Sequence, residues 1–170
     1  MSNKNPLEIF VVGCICAGLC LGCRMLGRGG LRGKDAVNPE QLNGDFALSG
    51  RLENARRVAN VQFDSVLFDY DSFKIADSEI PKIENVAGYL KKNPRIYLVI
   101  EGHCDERGSR EYNMSLGERR ALAVRAYLIG LHIKSSRIHT KSYGEERPID
   151  PGHNEQAWRR NRRGEFAFYR

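Results

Sequence analysis

The stretch RIYLVIEG at residues 95–102 is a nearly continuous apolar run. Such a run is typical of a β-strand that is buried on both faces. Segments with helical spacing of apolar residues precede and follow it. This strand therefore restricts the fold more than any other feature, because it requires other elements of the chain to cover both sides of a sheet.

The two helices that flank this strand have recognisable ends. The first is predicted to begin around Pro81, with Asp77 and Ser78 as possible caps, and to stop at the pair Asn93-Pro94. The second is predicted over about residues 112–130, where it ends near a glycine.

Shorter segments complete the pattern. Strand character is present in SVLFDY (65–70), RIHTKSYG (137–144) and GEFAFYR (164–170), and AWRRN (157–161) suggests a short helix. The β-α-β-α-β order predicts an α/β (α+β) sandwich over residues 62–170, in which helices pack on a mixed sheet.

The N-terminus has the features of a processing signal. Four of the five cysteines lie within the first 23 residues, which argues against a disulfide framework. The run IFVVGCICAGLCLG suits a secretory signal, whereas a spanning helix needs about 20 residues. Cys23 follows the small residue Gly22, as expected at a lipoprotein cleavage site. We predict a signal peptide at residues 1–22 and lipidation of Cys23; the alternative is an uncleaved anchor or a buried helix.

Residues 23–61 are predicted to form the lipidated N-terminus and a flexible tether, because glycines and scattered charges occur there with little periodicity. An alternative for LENARRVANV (52–61) is a short helix that packs on the domain. The formal net charge of +6 and the pI of 9.2 favour a polyanionic partner, such as nucleic acid, phospholipid or a wall polymer, without choosing among them.

The second helix raises a question about Arg120. At 100° per residue, the stripe that faces the sheet contains Arg120, whereas its neighbour Arg119 points to water. A buried guanidinium without a partner is very costly, so Arg120 is expected to need a carboxylate. The apolar members of the same stripe are Leu116, Ala121, Val124, Tyr127, Leu128 and Leu131.

Asp105 is the first candidate for that carboxylate, because it lies in the loop between the strand at 95–102 and the second helix. Such loops are where open α/β sheets bind ligands. In one interpretation Arg120 forms a structural ion pair with Asp105, or with Asp69 or Asp71. In the other, Asp105 receives the ammonium group and Arg120 grips the carboxylate of a zwitterionic ligand, such as an amino-acid head group.

The motifs FDYDS, EGHCDERGSREYNMSLGERRA, SYGEERP and PGHNEQAWRRNRR together resemble the family of peptidoglycan-associated lipoproteins of Gram-negative bacteria. The likeness covers about residues 66–170 and extends, more distantly, to the C-terminal domain of outer-membrane protein A. It implies an OmpA-like domain that binds the diaminopimelate side chain of peptidoglycan non-covalently. Within that domain, Asp105 and Arg120 are implied to hold the free amino-acid end of this side chain.

The same resemblance implies three further pocket residues: Asp71 at its border, and Asn113 and Leu116 in its wall. Bracing of the loop is the alternative role of Asn113. Cys104 stands where Ala or Thr is more usual in the family, and we interpret it as a small apolar filler.

The family also implies a location and a partner. The implied location is the outer membrane, to which acyl chains on Cys23 attach the chain so that the domain faces the periplasm. The implied partner is a TolB-like periplasmic protein of the Tol-Pal system, which serves envelope integrity and cell division. No cofactor is implied. The alternative function is a basic surface domain that binds another anionic polymer.

Catalysis fits the sequence less well. His103 and Cys104 are neighbours on a strand, so their side chains point to opposite faces and the imidazole cannot activate the thiol. We predict that the chain is not an enzyme.

Metal and nucleic-acid sites are also not indicated. The four histidines, His103, His132, His139 and His153, lack the spacing of metal ligands along one helix. The basic cluster WRRNRR at 158–163 could contact phosphates. Secretion would separate it from nucleic acid, and a solvated charged face explains most of the cluster.

Overall fold

The computed structural model describes residues 55–170. The predicted signal peptide, Cys23 and most of the predicted tether lie outside these residues. In chain order the elements are β1 (Val66–Leu67), α1 (Ile80–Lys92), β2 (Tyr97–His103), α2 (Arg110–Gly130), β3 (Ile138–Gly144), α3 (Glu155–Asn161) and β4 (Arg163–Tyr169), with short 3-10 turns at Asp77–Glu79 and Ser135–Arg137.

The four strands form one mixed sheet in the order β1-β4-β2-β3. Strands β2 and β3 are parallel and are joined by α2, whereas β4 inserts between β1 and β2 and runs antiparallel to both. The predicted mixed sheet with helices packed on it is confirmed.

The core lies between one face of the sheet and the helices α1 and α2. Leu98 and Ile100 of β2 face this core, as period-two alternation requires, while Val99 and Glu101 face the opposite side. Phe168 of β4 joins this core, and the helices contribute six fully buried residues: Ile83, Val86, Leu90, Ala121, Val124 and Leu128.

Helix α2 approaches β2 closely where two glycines face each other. A Cβ atom on Gly102 would lie 1.9 Å from the carbonyl oxygen of Gly117, so neither strand nor helix could keep its position with a side chain there. This contact places the first turns of α2, and therefore Arg120, directly beside the end of β2.

Most element ends agree with the sequence prediction, and two differ. Asp77 and Ser78 do not cap α1, since they form the 3-10 turn that precedes it and the N-cap residue, Glu79, makes no capping side-chain hydrogen bond. Strand β1 covers only Val66–Leu67 of the predicted 65–70. Beyond it, the carbonyl group of Asp69 accepts a hydrogen bond from the guanidinium of Arg120.

The described end of the predicted tether is attached to the sheet. Arg56 exchanges backbone hydrogen bonds with Arg170, and the Val58 N–H donates to the Phe168 carbonyl over 2.8 Å. Residues 55–61 contain no helix, so the alternative of a short helix is wrong for that part, although Val58 does pack against the core. Within residues 55–170, no helix combines the length and the apolarity that a membrane crossing needs.

Candidate functional site

Helix α2 begins beside the end of β2 and carries Arg120 inward. The hydroxyl of the N-cap residue Ser109 accepts a hydrogen bond from the Tyr112 N–H, which satisfies one of the free amides of the first turn. About three turns after this N-cap, Arg120 is only 1% exposed. The inward orientation that the helical spacing predicts is confirmed.

The acceptors of Arg120 differ from the expected carboxylate. Its Nε donates to the Ser72 carbonyl over 2.8 Å, Nη1 to the His103 carbonyl over 2.8 Å, and Nη2 to the Asp69 carbonyl over 3.1 Å. Nη1 also contacts the sulfur of Cys104 at 3.3 Å. None of the ion pairs within residues 55–170 includes Arg120, so the interpretation as a structural ion pair with Asp105, Asp69 or Asp71 is wrong.

This arrangement leaves Arg120 charged but poorly solvated. Burial lowers the pKa of its guanidinium from the ordinary value, and the nearby positive charge of Arg162 acts in the same direction. Each terminal nitrogen of arginine has two hydrogens, and Nη2 uses one of them for Asp69. Arg120 therefore retains one N–H beside a cavity that it helps to line.

Asp105 is buried in the same place and is fully hydrogen bonded. Its Oδ1 accepts from the backbone N–H and Nε of Arg107, and its Oδ2 accepts from Arg107 Nη2 at 2.7 Å and Arg162 Nη1 at 3.1 Å. Burial alone would raise the pKa of Asp105, but the hydrogen bonds from both arginines outweigh it and hold this pKa below its ordinary value. Asp105 is therefore a carboxylate at neutral pH.

Neither Arg107 nor Arg162 was predicted from the sequence to contact Asp105. Arg107 lies between the rings of Tyr70 and Trp158, with its guanidinium carbon 4.1 Å from each ring centroid. Arg162 is 4% exposed, so the interpretation of the 158–163 cluster as a solvated face holds for Arg159 and Arg160 but not for Arg162 and Arg163.

Asp71 stands at the mouth of the cavity. It is exposed and has a left-handed backbone with φ of 51°, which few residues other than glycine, asparagine and aspartate adopt. The Tyr112 hydroxyl donates to its Oδ1. Its second oxygen, Oδ2, receives no hydrogen bond from the described residues.

Asn113 and Leu116 form the wall next to these groups. Asn113 is 1% exposed, and its Nδ2 donates to the carbonyls of Asp105 and Arg107 and to the carboxylate of Glu145. It thus braces the loop, which is the alternative role considered from the sequence. Leu116 is 5% exposed and gives the cavity an apolar side.

The neighbouring pair His103 and Cys104 is not arranged for catalysis. The His103 ring stacks on Tyr143, with centroids 5.4 Å apart, while the Cys104 thiol donates to the Asn113 carbonyl. Burial raises the pKa of Cys104 to about 11, so the thiol is protonated at neutral pH. Cys104 is buried, as the interpretation as a filler requires.

All five candidate pocket residues, Asp71, Asp105, Asn113, Leu116 and Arg120, line one cavity. It contains about 380 Å³ of empty space, including its open mouth. The charges around it are mixed, with carboxylates of Asp71 and Asp105 facing three guanidinium groups. A ligand that carries both signs of charge on a small frame matches this distribution. The other lining residues are Tyr70, Cys104, Arg107, Gly108, Tyr112 and Arg162.

Comparison with known proteins shows the family to which the chain belongs. The OmpA family model matches residues 67–162. The chain is 38% identical over 130 residues to the peptidoglycan-associated lipoprotein of Haemophilus influenzae, covering 74% of this chain and 85% of that protein. It is 37% identical over 150 residues to the peptidoglycan-associated lipoprotein of Pseudomonas putida, covering 87% of this chain and 89% of that protein.

Solved structures agree with these matches. The crystal structure of the peptidoglycan-associated lipoprotein from Burkholderia pseudomallei superposes with a TM-score of 0.60 at 39% identity, covering 61% of this chain and 88% of that chain. The C-terminal domain of Helicobacter pylori MotB superposes with a TM-score of 0.58 at 25% identity, over 62% of this chain and 83% of that chain. The chain belongs to the OmpA family and, within it, to the peptidoglycan-associated lipoproteins.

Proposed function

We propose that residues 62–170 bind peptidoglycan non-covalently, by holding the free amino-acid end of a diaminopimelate side chain in the cavity around Arg120. The observation that carries this proposal is the meeting of carboxylates and guanidinium groups around one small opening. The names of the relatives, which describe them as peptidoglycan-associated, support it. The binding step involves no bond cleavage, and we propose no catalytic role.

The ammonium group of the ligand is expected to meet Asp71 first. Asp105 already accepts four hydrogen bonds, which is about the capacity of a carboxylate. Asp71 is exposed and has Oδ2 without a partner among the described residues. Asp105 then acts mainly as a positioning residue, because it fixes Arg107 and Arg162 at the cavity.

The carboxylate of the ligand is expected between Arg120 and Arg162. A bidentate grip by Arg120 alone, as expected from the sequence, would require it to release a backbone carbonyl. Arg162 uses one N–H on each terminal nitrogen, for Asp105 and Glu155, and therefore has a second one on each. The two guanidinium groups repel each other, as the effect of Arg162 on the pKa of Arg120 indicates, and an incoming carboxylate relieves this repulsion.

The first experiment measures co-sedimentation of the purified chain with insoluble peptidoglycan. Asp71→Asn removes the exposed charge and keeps the shape of the side chain, and we expect binding to fall by about tenfold or more. Asp64→Asn is the matched control, because Asp64 is also exposed but does not line this cavity. Equal binding by both variants and the parent chain would reject the pocket.

A second experiment addresses the identity of the ligand. Free meso-diaminopimelate should compete for the domain, whereas Nα-acetyl-lysine amide, which has the distal ammonium group but no free carboxylate, should not. Competition by an unrelated polyanion such as heparin, with none by diaminopimelate, would favour the alternative of a basic surface that binds another anionic polymer. Release of soluble muropeptides during incubation would instead indicate hydrolysis.

We also propose that acyl chains on Cys23 hold the chain in the outer membrane, with the domain facing the periplasm. Several acyl chains anchor stably where one does not, and many weak contacts to one polymer then act collectively. Labelling with radioactive palmitate should be lost in Cys23→Ser. Continued labelling of that variant would reject Cys23 as the acylated residue.

The partner that fits this location is a TolB-like periplasmic protein, and the cellular role is that of the Tol-Pal system in envelope integrity and cell division. The family membership supports this assignment. Pull-down of a TolB-like protein by the chain, in competition with soluble peptidoglycan fragments, tests it, and failure to recover any such protein would contradict it.

A further inference from the structure

Three side chains that the peptidoglycan site does not use converge on the opposite face of the sheet. Glu101 and His103 lie two positions apart on β2, so they share one face, and Glu101 stands directly opposite Glu165 on the antiparallel strand β4. A carboxylate oxygen from each glutamate and a ring nitrogen of His103 all lie within 4.8 Å of one another.

His103 is the unusual member of this group. It is 2% exposed, and neither of its ring nitrogens has a hydrogen-bond partner among the described residues. Buried polar atoms are nearly always satisfied, because an unpaired one costs about 1–3 kcal/mol. The ring nitrogens of His103 and the two nearby carboxylates all offer electron pairs. A cation between them would satisfy all three groups.

The two glutamates also indicate that a cation is needed between these side chains. Like charges directly opposite each other on neighbouring strands destabilise a sheet. Glu101 is 8% exposed, and its carboxylate receives no hydrogen bond from the described residues. The Arg163 Nε donates to Oε1 of Glu165 over 2.5 Å, which leaves Oε2 of Glu165 available.

We propose that Glu101, His103 and Glu165 form a binding site for a divalent transition-metal ion of the zinc type. One imidazole nitrogen and two carboxylate oxygens are a ligand set that zinc accepts, with water completing its coordination. Magnesium and calcium prefer oxygen ligands only, so they fit an imidazole less well. The carboxylate of Glu165, which is 31% exposed, provides the side from which the ion enters.

The surroundings limit the affinity. Arg163 bonds to Glu165, and Arg57, Lys141 and Arg147 are close enough to Glu101 to influence its pKa. These positive charges oppose a cation, so the site selects an ion with strong affinity for imidazole over one held by charge alone. A bound ion would link β2 to β4 and offset the repulsion between their facing glutamates.

The test titrates the full chain with zinc chloride at neutral pH and follows the heat of binding. Cys14, Cys16, Cys20 and Cys23 are replaced by serine, because thiolates bind zinc and would obscure the result. We expect one zinc ion per chain and much weaker binding of magnesium. Glu165→Gln and Glu101→Gln should each weaken zinc binding by about tenfold or more.

Glu106→Gln is the matched control, because Glu106 contacts His153 on the surface and lies outside the proposed site. It should leave the zinc affinity unchanged. If Glu106→Gln lost zinc binding and Glu165→Gln kept it, the bound zinc would be an adventitious ion only, and the proposal would be wrong. The proposal would also be overturned if the cysteine-substituted chain bound no zinc.

A further measurement keeps Glu101 and Glu165 unchanged, so its result does not depend on whether the glutamate variants fold. Zinc should shift the ring nitrogen signals of His103 in the NMR spectrum of the same cysteine-substituted chain before those of the other three histidines. Shifts confined to His132, His139 or His153 would reject the assignment. Since this face does not line the peptidoglycan cavity, co-sedimentation with peptidoglycan should not depend on zinc, and the two proposals can fail separately.

Discussion

Arg162 donates to Asp105 over 3.1 Å, and the two side chains are only 5% and 4% exposed. The residues are 57 positions apart in the sequence. Removal of one member of a buried pair leaves the other charge in a poorly solvated place, which is more costly than the pair itself was worth. The loop that follows β2 therefore depends on a side chain from the end of α3.

Truncation of Arg162 should test this dependence. We expect Arg162→Ala to lower the free energy of unfolding by about 3 kcal/mol, because Asp105 then keeps only Arg107 as a charged partner. Urea denaturation followed by circular dichroism measures the change. Arg160→Ala, which removes a mostly exposed arginine two positions away, should change it by less than about 1 kcal/mol. Similar losses in both variants would contradict the structural role of Arg162.

The low pKa of Asp105 gives a pH dependence with a defined sign. Its pKa in the folded chain lies below the ordinary value of 3.8, so its contribution to stability is present above pH 3.8 and is lost as the pH falls further. The difference in unfolding free energy between the parent chain and Asp105→Asn should be constant between about pH 5 and 8 and shrink in more acidic solution. If this difference in unfolding free energy grew toward acid pH, Asp105 would not be ionised in the folded chain.

Two glycines offer a matched pair of substitutions. Gly102→Ala places a Cβ against the backbone of Gly117, so we expect a loss of at least about 2 kcal/mol in unfolding free energy. Gly88 lies in α1 with no other atom within 4 Å of such a Cβ. Gly88→Ala should therefore stabilise the chain by about 0.5–1 kcal/mol, because alanine loses less entropy in a helix. Thermal unfolding of both variants provides the comparison.

The thiol of Cys104 should be nearly inert in the folded chain. It is 3% exposed and its pKa is about 11, so little thiolate is available to an alkylating reagent at neutral pH. With the four N-terminal cysteines replaced by serine, iodoacetamide should label the chain only after unfolding, as read by mass spectrometry. Rapid labelling of the native chain would show an open path to the sulfur.

The sequence predicted the parts of the site that follow from local periodicity. The strand before Asp105 and the helix containing Arg120 have strong patterns, and their spacing placed Arg120 on the buried face correctly. The acceptors of Arg120 could not be predicted in this way. They are carbonyl groups of Asp69, Ser72 and His103, and two of these three belong to a loop that only the tertiary fold brings to the helix.

Two other features could not be predicted from the sequence, because they also depend on the tertiary fold. Arg162 belongs to a basic cluster, and no local pattern distinguishes it from the exposed Arg160, because burial of Arg162 depends on Asp105 and Phe68 far upstream. The group formed by Glu101, His103 and Glu165 has no spacing in one helix or loop that would indicate metal ligands. It results from the register between two antiparallel strands, which a linear search for ligand spacing does not detect.

The backbone bonds that join Arg56 and Val58 to the last strand have a mechanical consequence. A pulling force transmitted along the chain from upstream of residue 55 reaches this short antiparallel contact before it reaches the cavity. We expect the contact to yield under load before β2 and α2, which hold Arg120 and Asp105, change their positions. Strain between a surface that holds the upstream chain and a polymer held by the domain would thus be absorbed at the sheet margin, away from the bound ligand.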